Sequence, residues 1–261
     1  MKKKFKKVVK KNGNKQGREL IRLRDVAKFY HMGNNVVKAL DGLNFKVYEG
    51  EFVAIMGPSG SGKSTAMNLV GSLDVPTKGH IFLDGIDIAT MDESDLAQIR
   101  GKKIGFIFQS FNLIPNLTAL ENVTLPMMFQ GISEYERKQK AIELLKLVEL
   151  DDRMEHYPGE LSGGQRQRVA IARSLANEPD VILADEPTGN LDSKTGDIVM
   201  NFLDKLNSKG RTIIMVTHDP ELAEKHADVV YWLRDGHLEK VTKHGKIIHK
   251  GNFQNIEKEG K

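Results

Sequence analysis

The chain has 261 residues, 39% of them hydrophobic, which leaves room for one or two domains, and a single α/β domain of this size is ordinary. It contains no cysteine, which excludes disulfides and a Cys-based zinc site and fits a reducing compartment. The formal net charge of +4 belongs to a tail: residues 1–18 hold nine Lys or Arg and no acid, while the other 243 carry 30 basic and 35 acidic groups, which argues against a nucleic-acid-binding body.

No run of about 18 apolar residues is present, so no bilayer span is expected. The N-terminal lysines are not followed by an apolar stretch, so no secretory signal is read there and the expected location is the cytoplasm. Residues 1–18 read either as a disordered, solubilising extension or as a segment drawn to anionic lipid head groups, where each cation gives about 1 kcal/mol.

Ordered pattern begins near Glu19. Residues 20–29 alternate apolar and polar and predict a strand, as do residues 36–47, interrupted by a turn at Asp41 and Gly42. Residues 51–56 read as a short buried strand, followed by a Gly-rich loop and a helix from Lys63 to about Leu73. Strands follow at 81–83 and 104–108. Apolar residues at helical spacing (Ala141, Leu144, Leu145, Val148) predict a helix over 134–150. A helix over 165–177, stopped by Pro179, precedes a buried strand at 181–184. Then come a helix over 196–208, a buried strand at 212–217, a short helix at 221–226, a strand at 229–233 and a hairpin at Asp235 and Gly236. Helices alternating with strands of parallel type imply an α/β sheet with crossovers. From about Lys240 the chain is polar and basic and reads as a loosely held tail.

Gly57-Pro58-Ser59-Gly60-Ser61-Gly62-Lys63-Ser64 matches the pattern G-x-x-x-x-G-K-[ST], with Thr65 next in line. Glycines let backbone N–H groups turn around phosphate oxygens, and the following helix start adds its positive dipole end. Lys63 would reach the terminal phosphates of a nucleoside triphosphate, and Ser64 would ligate Mg²⁺. The buried strand at 181–184 ends in Asp185 and Glu186. Asp185 is placed to hold the Mg²⁺ shell, and Glu186 to polarise an attacking water. Leu161-Ser162-Gly163-Gly164-Gln165 opens a helix and makes a second anion cradle from a hydroxyl, two glycines and a helix start.

With this LSGGQ sequence beside the P-loop, the chain resembles the ATP-binding cassette (ABC) ATPases over residues 20–240. The resemblance implies a P-loop NTPase (RecA-like) α/β core with an antiparallel β subdomain and an inserted α-helical subdomain at about 90–165. The cassette would span 19–240, flanked by the basic tail 1–18 and a polar basic tail 241–261. It implies ATP and Mg²⁺ as ligands and a head-to-tail homodimer with two ATP molecules between the subunits. In that family the LSGGQ of one subunit closes on the γ-phosphate held by the P-loop of the other. Gln109 matches the glutamine that senses Mg²⁺ and water and links to a membrane partner. Asn190-Leu191-Asp192 resembles the loop that crosses the dimer interface, His218 the histidine on the γ-phosphate, and Tyr30 the aromatic that stacks on adenine.

The stretches IGFIFQSFNLIP at 104–115, LTALENV at 117–123 and ADEPTGNLD at 184–192 resemble the branch of lipoprotein-release, macrolide and antimicrobial-peptide exporters and the related cell-division ATPase. Asn190 stands where many relatives have Ala, and residues 1–18 have no counterpart. The implied function is the ATP-hydrolysing motor of a transporter, peripheral on the inner face of the membrane beside an integral permease. The alternative is an ATPase that signals through a membrane partner in cell division or cell-wall control without moving a substrate. A soluble ABC ATPase acting on DNA or ribosomes is disfavoured, because the chain has neither two cassettes nor a long coiled coil nor zinc-binding cysteines. Residues 110–116 are the candidate contact with the permease, or else a loop packed on its own subdomain.

Overall fold

The computed structural model describes residues 17–33 and 35–251; most of the basic tail and residues 252–261 lie outside them. Two sheets organise the fold. Strands β1 (Glu19–Met32) and β2 (Asn35–Tyr48) pair antiparallel as one long ribbon. After β3 (Phe52–Met56) and helix α1 (Lys63–Val70) come β4 (Lys78–Leu83) and the two-residue β5 (Ile86–Asp87), which complete a four-stranded antiparallel sheet in the order β2-β1-β4-β5. Helix α2 (Glu93–Lys103) leads into β6 (Ile104–Ile107). Helices α3 (Ala119–Phe129) and α4 (Glu134–Leu147) then stand between β6 and α5 (Gly163–Ser174). The chain continues through β7 (Val181–Asp185), α6 (Ser193–Ser208), β8 (Thr212–Thr217), α7 (Pro220–His226), β9 (Val229–Arg234), β10 (His237–Lys243) and β11 (Lys246–Lys250). The second sheet has the order β11-β10-β9-β3-β8-β7-β6, parallel from β9 to β6 and antiparallel at β10 and β11.

The central strands are apolar throughout because both faces are covered. All residues of β3 and β8 are buried. Alternate side chains serve separate cores, as a period of two requires. Phe52, Ala54, Met56, Ile213 and Met215 pack with α3 to α7, whereas Val53, Ile55, Ile214 and Val216 pack with α1, α2 and the antiparallel sheet. Helices α3 and α5 start with capping boxes, Thr118 with Glu121 and Ser162 with Gln165.

Two readings of the chain are corrected. Asp41 and Gly42 are not a turn: β2 runs through them as a bulge, and the reversal falls between Met32 and Asn35. Asp41 N–H donates to Gly236 O (3.0 Å), so the bulge is tied to the β9–β10 hairpin. Residues 240–250, expected as loose tail, instead extend the sheet as β10 and β11, with Trp232 Nε1 donating to Thr242 Oγ1 (3.2 Å). Strand β6, expected over 104–108, forms the edge of the main sheet. Of the basic tail, Arg18 is described, and it pairs with Asp84.

Candidate functional site

Four parallel strands present their C-terminal ends on one side of the main sheet: β3 leads into the P-loop, β7 into Asp185 and Glu186, β8 into His218 and β6 toward Gln109. This edge is where open α/β sheets bind ligands. A groove of about 600 Å³ lies there, lined by Ser59, Gly60, Gly62, Lys63, Ser64, Thr65, Glu186 and His218, with Val37, Lys38 and Ala39 of β2 as a wall. That volume is ordinary for a small-molecule site of about 300–1,000 Å³.

The loop is shaped for an anion. Gly62 caps α1 in the left-handed region (φ 95°, ψ 5°) with no side-chain cap, and the helix starts at Lys63. The Lys63 ammonium donates to Gly57 O (2.9 Å) and Pro58 O (2.8 Å), folding back over the loop. Burial pushes its pKa down, and Glu186 and then Asp185 push it back up. Asp185 is raised above the ordinary carboxylate value, by burial first and then by the charge of Glu186, with Lys63 opposing. Ser61 is buried, and its hydroxyl has no partner among the described residues.

Glu186 adopts a positive φ of 43°, held by its N–H to Val216 O (2.9 Å) and by Gly189 N–H to its carbonyl (3.0 Å). Such a conformation costs about 1–3 kcal/mol and persists where the surroundings over-determine it. It aims the carboxylate into the groove, where Oε1 lies 2.9 Å from His218 Nδ1.

The other expected residues lie around this centre. Tyr30 stands on β1, with its hydroxyl donating to Asp74 Oδ2 (2.9 Å). Gln109 packs on Gly189, and Asn190 Nδ2 donates to its carbonyl (2.9 Å). Ser162, Gly163, Gly164 and Gln165 do not line the groove. They cap α5: Ser162 Oγ accepts from Gln165 N–H (3.3 Å), and Gln165 Oε1 accepts from Ser162 N–H (2.8 Å). Gly163 and Gly164 pack against Leu191 and Thr195. Of these two helix starts, the one at Lys63 faces the groove and the one at Gly163 does not.

Supporting residues were not read from the sequence. Gln167 is fully buried and donates to Pro187 O (2.7 Å), steadying the segment after Glu186. Its signal was a polar residue on the buried 167–170–171–174 face of α5. Arg173, also on α5, donates to Phe111 O (2.8 Å) and to Asn112 O, both residues at positive φ just past Gln109. Asn122 is fully buried and bonds Ile114 N–H and the carbonyls of Ile114, Leu117 and Thr118. The loop at 110–116 is therefore tied to its own body while leaving Ile114 40% exposed.

The donor set suits magnesium better than a metal caged by protein. Ser64 and Glu186 bring oxygens to the groove, Asp185 precedes Glu186 at the end of β7, and among the described residues no group of three or more His, Cys, Asp or Glu could hold an ion. Magnesium keeps waters and binds through one or two carboxylates plus substrate phosphates.

Fold and groove define a P-loop nucleotide-hydrolysing protein. A family model described as ABC transporter matches residues 40–189. An uncharacterized ABC transporter ATP-binding protein of Thermotoga maritima is 51% identical over 230 residues, which is 88% of this chain and 98% of that one. The uncharacterized protein MJ0796 of Methanocaldococcus jannaschii is 52% identical, covering 86% and 97%. The macrolide export ATP-binding/permease protein MacB of Brucella melitensis is 50% identical over 222 residues, 85% of this chain but 34% of that longer one. A dimeric structure of the MJ0796 cassette in a post-hydrolysis state bound to ADP and Pi superposes with a TM-score of 0.80 at 50% identity, covering 86% and 99%. The chain belongs to the ABC transporter ATP-binding family and is an ATP-hydrolysing motor subunit of that kind. No helix of the described residues is long and apolar enough to cross a membrane.

Proposed function

We propose that two copies of this chain close head to tail around two ATP·Mg²⁺, each site pairing the P-loop of one copy with the Ser162 helix start of the other. The observation that carries this reading is that the 57–64 loop lines the groove while the Ser162 helix start lies outside it. The dimeric MJ0796 structures support it. Lys63 and the N–H groups of the 57–64 loop would hold the β- and γ-phosphates, with adenine against Tyr30. Glu186, oriented by its contact with His218, would take the proton of the attacking water while His218 and Lys63 stabilise charge on the γ-phosphoryl oxygens. Mg²⁺, held by Ser64 and the Asp185 shell with Gln109 near it, would neutralise charge on the β- and γ-phosphate oxygens. Loss of the γ-phosphate removes the bridge between copies.

The membrane side of the proposal is an integral permease, engaged near residues 110–116, with this subunit at the cytoplasmic face. The likeness to MacB, whose name joins macrolide export, ATP binding and a permease, favours an exporter of the macrolide type; the lipoprotein-release type rests on the resemblance of residues 104–115, 117–123 and 184–192. Ser162→Asp tests the shared site. Aspartate is a good N-cap, so α5 keeps its start, but its charge opposes a phosphate. Hydrolysis is expected to fall at least about 100-fold while the monomer still binds ATP; hydrolysis at the wild-type rate overturns the shared site.

A further inference from the structure

The phosphate cradle and Tyr30 stand on different sheets. The cradle follows β3 of the main sheet, and Tyr30 lies on β1 of the antiparallel one. A nucleotide has a bounded span from base to γ-phosphate, so the offset between these supports matters. The segment leaving α1, residues 71–77, spans the gap. Thr77 N–H donates to Ala27 O (2.8 Å), Phe29 N–H to Thr77 Oγ1 (3.0 Å) and Lys28 Nζ to Val75 O (2.9 Å).

Asp74 sits at the centre of this lacing. Its Oδ2 accepts from the Tyr30 phenol (2.9 Å), and its Oδ1 accepts from Lys28 Nζ (2.6 Å) and from Val75 N–H (2.8 Å). Burial raises its pKa, but the hydrogen bonds from Lys28, Tyr30 and Val75 outweigh that and leave it lowered, so it stays ionised. The same Lys28 ammonium lies 5.0 Å from the centroid of the Tyr30 ring. One carboxylate therefore fixes both the tilt of the ring and the cation over it, on the exit of the helix whose first residue is Lys63.

Resting on the reading of Tyr30 as the base platform, we infer that Asp74 is a positioning residue for nucleotide recognition. It sets the distance and tilt of the aromatic platform relative to the phosphate cradle. It acts on the base-dependent part of affinity and leaves the phosphate-dependent part alone. A residue serving only the stability of the fold would weaken both.

The experiment titrates the full chain, with Mg²⁺, against ATP and against inorganic tripolyphosphate, which has the phosphates and no base. Tyr30→Ala weakens ATP binding by about tenfold or more, as loss of a stacking platform requires. Asp74→Ala and Tyr30→Phe each weaken it about fivefold, and the double variant is no worse than either alone, because both remove one bond. Asp74→Asn, which keeps an acceptor for the phenol, recovers most of the affinity. Tripolyphosphate affinity stays within about twofold throughout, and the loss in ATPase kinetics falls on KM with the saturated rate retained. Should Asp74→Ala fail to fold, Tyr30→Phe and Lys28→Met remove the partners and leave the carboxylate in place. Intact ATP affinity in Asp74→Ala beside a loss in Tyr30→Ala overturns the inference alone. So does an equal loss of ATP and tripolyphosphate affinity. Intact ATP affinity in Tyr30→Ala overturns the platform reading beneath it.

Discussion

Replacing Gly62 by alanine separates two reasons why the phosphate loop needs glycine. Gly62 has a φ of +95°, and an added Cβ would lie 2.4 Å from Ala39 O and 2.8 Å from Leu40 Cδ2. Both neighbours belong to β2, and Leu40 is fully buried, so neither can move aside cheaply. A left-handed backbone costs an L-residue about 1–2 kcal/mol, and an overlap in packed surroundings adds about 1–3 kcal/mol. Gly60 is the control: its φ is +79°, but nothing lies within 4 Å of its added Cβ, so Gly60→Ala carries only the backbone part. A domain of this size loses roughly 2–4 °C per kcal/mol. Gly60→Ala should melt about 2–8 °C lower and Gly62→Ala about 4–20 °C lower. If the fold yields by pushing the loop off β2, ATP affinity of Gly62→Ala falls at least about tenfold, since small misplacements at such sites are expensive. Thermal unfolding and ATP titration of both variants check this. Equal melting and equal affinity for the two would refute the argument from close approach.

Asp185→Asn trades function for stability. The Asp185 pKa is raised in the fold, by burial and then by Glu186; such a carboxyl penalises folding once pH exceeds its ordinary value and carries no penalty below it, where both states are protonated. The variant should melt higher by about 1–3 °C at neutral pH, a gain kept small because the carboxylate is partly exposed. The gain should shrink toward zero as pH falls to about 4, while Mg²⁺-dependent ATP binding weakens; a gain that is flat with pH would refute the linkage. Arg173→Met leaves the Phe111 and Asn112 carbonyls without their donors, at about 1–3 kcal/mol. Amide exchange at 110–113 should accelerate and turnover drop as Gln109 loses its setting, and unchanged exchange would show that the guanidinium does not hold the loop.

What was legible in the sequence was contiguous or strongly patterned. The P-loop is one unbroken segment between a strand and a helix. Strands β3, β7 and β8 are apolar on both faces, and Ser162 with Gln165 marks a helix start. Asp41–Gly42 misled because a turn dipeptide also suits a bulge, and only the pairing of β1 with β2 distinguishes them. Helix α2 escaped because Leu96 is its one buried residue, and α3 because Pro126 breaks its pattern. The hairpin at Asp235 and Gly236 pointed to the start of β10, but β11 escaped because it is wholly exposed and lysine-bounded, so a sheet edge there looks like a solvated tail. The contacts that set the site, such as Tyr30 with Asp74 and Arg173 with Phe111, join residues 44 and 62 positions apart. No local periodicity encodes such pairs.

The central claim is that ATP joins two copies of this chain, and Glu186→Gln tests it most directly. Glutamine keeps the shape and a hydrogen bond toward His218 but removes the charge that would accept the proton of water, so hydrolysis should fall at least about 100-fold. With ATP and Mg²⁺, light scattering of this variant should report a dimer with two bound nucleotides, reverting to monomer when ADP replaces ATP. A monomer that binds ATP fully under the same conditions would contradict the account.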